Sequence, residues 1–126
     1  MIIKILISIA LGFLIGLERE KHKKAIGIRT TSLITLGSTL FAIISIYSFH
    51  ADQSRVIAQI VSGIGFLSAG VILKNSDQST GLPTAATIWC AAAVGVLVGI
   101  GMFEIAIIST LSILIINTIF NYFKNE

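Results

Sequence analysis

Gly16-Leu17-Glu18-Arg19-Glu20-Lys21-His22-Lys23-Lys24-Ala25-Ile26-Gly27-Ile28-Arg29-Thr30-Thr31 is the one stretch in which this apolar chain gathers its charge. Five of the nine Lys and Arg residues lie here (Arg19, Lys21, Lys23, Lys24 and Arg29), and two of the six acids, Glu18 and Glu20, stand beside them. A basic cluster with a long uncharged run on either side reads as a loop between two membrane-spanning helices. Short basic loops fix which face of a membrane protein is cytosolic. Everything else in the chain can be placed relative to this loop.

The length of 126 residues is that of one domain, but a composition 55% hydrophobic and 12% charged departs from the roughly 25% charge of soluble domains. A transmembrane helix needs about 20 mostly apolar residues, and the uncharged runs 30–51, 56–73, 78–103 and 105–123 supply that length. The run before Glu18 adds a fifth. The expected fold is all-α, a polytopic transmembrane bundle of about five helices forming one unit over 1–126, with helices near 2–17, 29–48, 55–73, 82–99 and 103–123. The first run has only Lys4 ahead of it, no Ala-x-Ala site, and its basic cluster after it, which is the polarity of a retained helix rather than a secretory signal. Cys90 is single, so it forms no internal disulfide and is expected to be a buried, inert thiol. The net charge of +3 and the pI near 9.3 point to contact with anionic lipid headgroups, about 1 kcal/mol for each basic residue near the surface. The patch is too small to favour nucleic acid.

Small residues recur within the runs. Ser8, Gly12 and Gly16 share one face of helix 1, and Ala91, Gly95 and Gly99 repeat the spacing in helix 4; such faces allow close helix packing. The segment containing Gly63, Gly65 and Gly70 is glycine-rich enough to expect another backbone or a ligand against it. Lys4 is placed to snorkel toward the headgroups. Pro83 suits a helix's first turn, so helix 4 is expected to start near Leu82. Tyr122 and Phe123 belong near an interface.

With five spans, segments 18–29, 74–81 and 124–126 share a face that holds seven of the nine basic residues. That face is then cytosolic, with Met1 outside and Glu126 inside. It gathers Glu18, Arg19 and Glu20 at the end of helix 1, Arg29 and Thr30 at the start of helix 2, Gly70 near the end of helix 3, and Thr84 and Thr87 at the start of helix 4. A carboxylate is stabilised near a helix N-terminus, so Glu18 or Glu20 is expected to pair with Arg29 or to dock at the start of helix 4 in a cytosolic-face network. The alternative is a solvated boundary that only marks the membrane edge. No His, Cys or Ser grouping has catalytic or metal-ligand spacing, so no enzyme activity or cofactor is expected, and no residue is assigned to a metal. The helix centres also lack the ionisable residues that pumps and secondary transporters use. Gln59, Ser62, Thr84, Thr87 and Asn117 offer only neutral oxygens.

Four ordered stretches carry a resemblance: Gly16-Leu17-Glu18-Arg19-Glu20, Gly27-Ile28-Arg29-Thr30, Gly63-Ile64-Gly65-Phe66-Leu67-Ser68-Ala69-Gly70, and Gly81-Leu82-Pro83-Thr84-Ala85-Ala86-Thr87-Ile88-Trp89. The chain resembles the MgtC/SapB family of bacterial membrane proteins. It departs from that pattern at Thr31, where the family often has His, at Ser68, often Gly, and at Pro83, often Thr. The resemblance implies a bacterial inner-membrane protein of about five helices, linked to growth in low magnesium and, in pathogens, to survival inside macrophages. It also implies a soluble cytosolic domain after the fifth helix in better-known members, so a function residing in that domain is expected to be absent here or supplied by a partner. Members are described more often as regulators of membrane proteins such as the F-type ATP synthase than as transporters. The expectation is therefore a modulator of membrane partners, or a self-associating module, in magnesium and ion homeostasis. An oligomeric transporter of magnesium or another cation is the alternative.

Overall fold

A computed structural model describes residues 1–47, 52–74 and 78–124. Those residues form five helices, α1 (Ile2–Lys21), α2 (Ile28–Tyr47), α3 (Gln53–Lys74), α4 (Gln78–Gly99) and α5 (Phe103–Lys124), and no strand. Four of them, α2 to α5, are long and apolar enough to cross a membrane. α1 packs beside them although its uncharged run, between Lys4 and Glu18, is shorter. In lipid only a helix satisfies all of its own backbone groups.

The centre is a triad of α1, α2 and α4, with α3 laid against α4 and α2, and α5 against α4 and α1. Consecutive helices run in opposite directions. Thr31 and Thr35 of α2 reach Gly12 and Ser8 of α1 in antiparallel order, whereas Gly95 and Gly99 of α4 follow Thr35 and Thr39 of α2 in parallel. Most of the core is drawn from this triad, including Leu11, Ile15, Ile34, Ile88, Val94 and Val98, with Ile64 of α3 and Ala106 of α5 added at its edges.

Two helices end in the same motif. At α1, Lys24 N donates to Arg19 O at 2.9 Å and Lys23 N to Glu20 O at 3.0 Å; at α4, Met102 N donates to Leu97 O at 2.8 Å and Gly101 N to Val98 O at 3.0 Å. Both are Schellman caps, which need a left-handed residue. Gly101 supplies it at φ 89° and Lys23, unusually for a residue with a Cβ, at φ 55°.

Several boundaries differ from expectation. α1 continues one turn past Leu17, because its charged end is held by tertiary contacts. α4 begins at Gln78 rather than near Leu82, which leaves Pro83 inside the helix. Being close to the start, the proline removes a single ladder bond, to the carbonyl of Ser79, and the first turn forms ahead of it. Lys4, expected to snorkel, donates its ammonium to Gly99 O at 2.7 Å, where the carbonyl end of α4 attracts a cation. Ser48, the expected end of helix 2, His50, the loop between α3 and α4 at 75–77, the side chain of Tyr122, and Glu126 lie outside the described residues.

Candidate functional site at the basic end of the bundle

Glu18 and Arg19 are buried although both carry charge, at 7% and 2% exposure. A buried charge is tolerated only when it is paired and hydrogen-bonded. Arg19 Nε and Nη2 grip the two carboxylate oxygens of Glu18 at 2.7 and 3.0 Å, and Nη1 reaches Thr84 Oγ1 at 3.5 Å. The pair therefore ties the end of α1 to the first turns of α4. His22 Nδ1 lies 2.9 Å from the Glu18 carbonyl and 3.0 Å from Glu18 Oε2, so a proton on Nδ1 is shared between two acceptors.

Glu20 docks at the start of α2 rather than at that of α4, because the loop 22–27 returns the chain to it within eight residues. Its Oε1 accepts from Ile28 N at 3.0 Å, placing a carboxylate on an orphan amide at the positive end of α2. Thr87 Oγ1 donates to Pro83 O at 2.8 Å and accepts from Asn117 Nδ2 at 3.1 Å, which ties α4 to α5. The structure thus joins Glu18, Arg19 and Thr84 in one cluster, puts Glu20 on α2 and Thr87 on α5, and leaves Arg29 and Thr30 exposed. Glu18 pairs with its sequence neighbour Arg19, not with Arg29, because the burial that demands a partner falls on Arg19.

The glycines divide in the same way. A Cβ on Gly12 would stand 2.8 Å from Ser32 Cα, and one on Gly16 2.8 Å from Gly27 O. On the other side of α2, a Cβ on Gly95 would stand 2.7 Å from Ser38 Cβ, and one on Gly99 2.9 Å from Thr39 O. The faces expected on helices 1 and 4 both close on α2, where backbone approach and packing replace the hydrophobic drive that lipid does not provide. Gly63, Gly65 and Gly70 have nothing of this chain within 4 Å of a Cβ position.

The close approach brings hydroxyls of α2 onto neighbouring carbonyls. Thr31 donates to Gly12 O, Thr35 to Ser8 O and Thr39 to Gly95 O, each at 2.7 Å. All three threonines are fully buried or nearly so. Sequence reasoning did not single out this ladder; its signal was the four-residue spacing of Thr31, Thr35 and Thr39, which places them along one helical stripe.

The family model described as the MgtC family matches residues 5–126. The chain belongs to the MgtC family. It is 44% identical over 116 residues to Protein MgtC of Salmonella typhimurium, covering 92% of this chain and 50% of that one. Protein MgtC of Brucella abortus is 46% identical over 110 residues, 86% of this chain and 46% of that one. An uncharacterized protein of Synechocystis sp. is 43% identical over 117 residues, again 92% of this chain and 50% of that one. The chain spans about half the length of these curated relatives. No solved structure matches it. With four long apolar helices, it is a membrane protein of the MgtC family, and the Glu18–Arg19–Thr84 cluster lies in the stretches by which it resembles that family.

Proposed function

We propose that this MgtC-family chain is a non-enzymatic modulator of membrane partners in magnesium and ion homeostasis, seated in a bacterial cytoplasmic membrane with its basic loop in the cytosol. The observation that carries the reading is the outward face of α3. Only Ile64 of that helix is buried, and Ala58, Ser62, Gly65 and Ala69, all exposed, form one stripe of small residues pointing away from α2 and α4. Small residues at this spacing let a second transmembrane helix approach closely. The core, by contrast, is closed: the hydroxyls of Thr31, Thr35 and Thr39 are committed as donors to carbonyls, and no buried side-chain nitrogen or oxygen among the described residues lacks a partner. Such a core supports docking at the periphery over conduction through the protomer.

A photo-crosslinking residue placed at Ser62 or Ala69 in living cells tests the reading. It should yield a discrete adduct with another membrane protein, whereas the same residue at Leu6 or Ile116, exposed positions on α1 and α5, should yield lipid adducts. Lipid adducts alone from all four positions would overturn it.

A further inference from the structure

α2 and α3 do not close on each other along their length. Between them runs an apolar groove of about 550 Å³, floored by Ile34 and Ile64 and left open where Gly37 and Gly63 carry no side chain. It extends along α2 from Thr30 to Phe41, which at 1.5 Å per residue is roughly 16 Å. That is close to half of the roughly 30 Å hydrocarbon core, the depth of one leaflet. At the basic end, Leu67 also lines a second recess of about 340 Å³ with Ala25, Gly70, Val71 and Lys74. The two recesses share Leu67 as a wall, so the second lies between the trough and the basic loop.

The charge at that mouth is exposed. Arg29, next to Thr30, and Lys74 are exposed, and neither has an ion-pair partner among the described residues. Among the described residues, the acids of that end are engaged, Glu18 by Arg19 and Glu20 by Ile28 N. An apolar slot one leaflet deep that opens beneath exposed cations matches one ligand chemistry, an acyl chain below an anionic phosphate.

We infer that the α2–α3 groove is a binding site for an anionic glycerophospholipid of the leaflet facing the basic loop, with one acyl chain between Gly37 and Gly63 and the phosphate near Arg29 and Lys74. The site is specific, unlike the general attraction of a basic loop for a charged surface, and it lies on the opposite side of α3 from the Ser62–Gly65 stripe.

Native mass spectrometry of the full chain, released from mild detergent with phosphatidylglycerol or phosphatidylcholine of identical chains, tests this. One phosphatidylglycerol should be retained in preference to phosphatidylcholine, with the preference falling about fivefold for each of Arg29→Gln and Lys74→Gln, the size of one basic residue's attraction to an anionic surface. The doubly substituted Gly37→Leu, Gly63→Leu chain should keep its melting temperature, because apart from its own helical turn nothing lies within 4 Å of either added Cβ, and should lose both lipids. Equal retention of the two lipids, or unchanged phosphatidylglycerol binding in the leucine chain, would overturn the site. So would a leucine chain that changes oligomeric state with lipid binding intact, since a second copy of the chain would then own the groove. The two exposed-charge variants keep the test decisive should the leucine chain misfold.

Discussion

Arg19 and Arg29 stand ten positions apart in one basic cluster, and the fold treats them oppositely. Removing one partner from a buried pair leaves an uncompensated charge, so Arg19→Ala is expected to destabilise the bundle by about 3 kcal/mol. Arg29→Ala, at an exposed site, should stay within about 0.5 kcal/mol. Unfolding in mixed micelles measures both, and the Glu18→Ala, Arg19→Ala double variant should fall short of additivity by about 0.5–3 kcal/mol, as contacting residues do. Equal losses at Arg19 and Arg29, or strict additivity with Glu18, would return the cluster to a solvated boundary. The cluster was legible in sequence because charge in a lipid-facing chain collects at helix ends. Its pairing was not, since neighbouring residues on a helix normally face apart, and Arg19 meets Glu18 only through the length of its side chain. The threonines of α2 escaped notice for a related reason: a helical threonine commonly bonds its own preceding turn, and Thr31 also lies 3.0 Å from Gly27 O.

At the scale of the element, the small-residue faces of α1 and α4 were readable but the helix they meet was not, because spacing reveals a face without its partner. Since both meet α2, Gly12→Leu and Gly95→Leu should each break the triad, at about 3 kcal/mol or more for overpacking against backbone. Gly65→Leu should leave melting unchanged and abolish crosslinking from Ala69. Normal folding of the Gly12 and Gly95 variants, or capture that survives Gly65→Leu, would contradict this assignment of faces. α3 also has a pH-dependent start. Asp52 Oδ1 accepts from Ser54 Oγ at 2.7 Å and from Ser54 N at 3.0 Å, and these bonds hold its carboxyl below the usual 3.8. A depressed folded value contributes stability that is fully present above the unfolded value and lost as pH falls through the folded one. Hydrogen-exchange protection at the Ser54 and Arg55 amides should therefore be flat from neutral pH to about 4, the ordinary carboxylate value, and fall below it. Asp52→Asn should remove the dependence; a profile identical to the parent's would show that the cap is not responsible.

For the whole molecule, the alternation of helix direction follows from the contacts at both ends: Arg19 with Thr84 at one, Lys4 with Gly99 at the other. The helix count and class were legible because lipid demands long uncharged runs; the layering of α3 and α5 around a central triad was not, because apolar residues stand on both the packed and the exposed sides of α3 and α5 and periodicity then carries little information. With seven of nine basic residues on one face, a cysteine at Lys23 should resist an impermeant thiol reagent in intact cells and react after permeabilisation. Labelling in intact cells would invert the topology. The central claim, that the chain modulates partners instead of conducting ions, is tested most directly by magnesium entry into sealed liposomes that hold the purified protein and a magnesium dye, with a known channel as positive control. The closed triad predicts uptake no faster than in protein-free liposomes; saturable uptake that depends on this protein would contradict the account and establish the oligomeric cation transporter in its place.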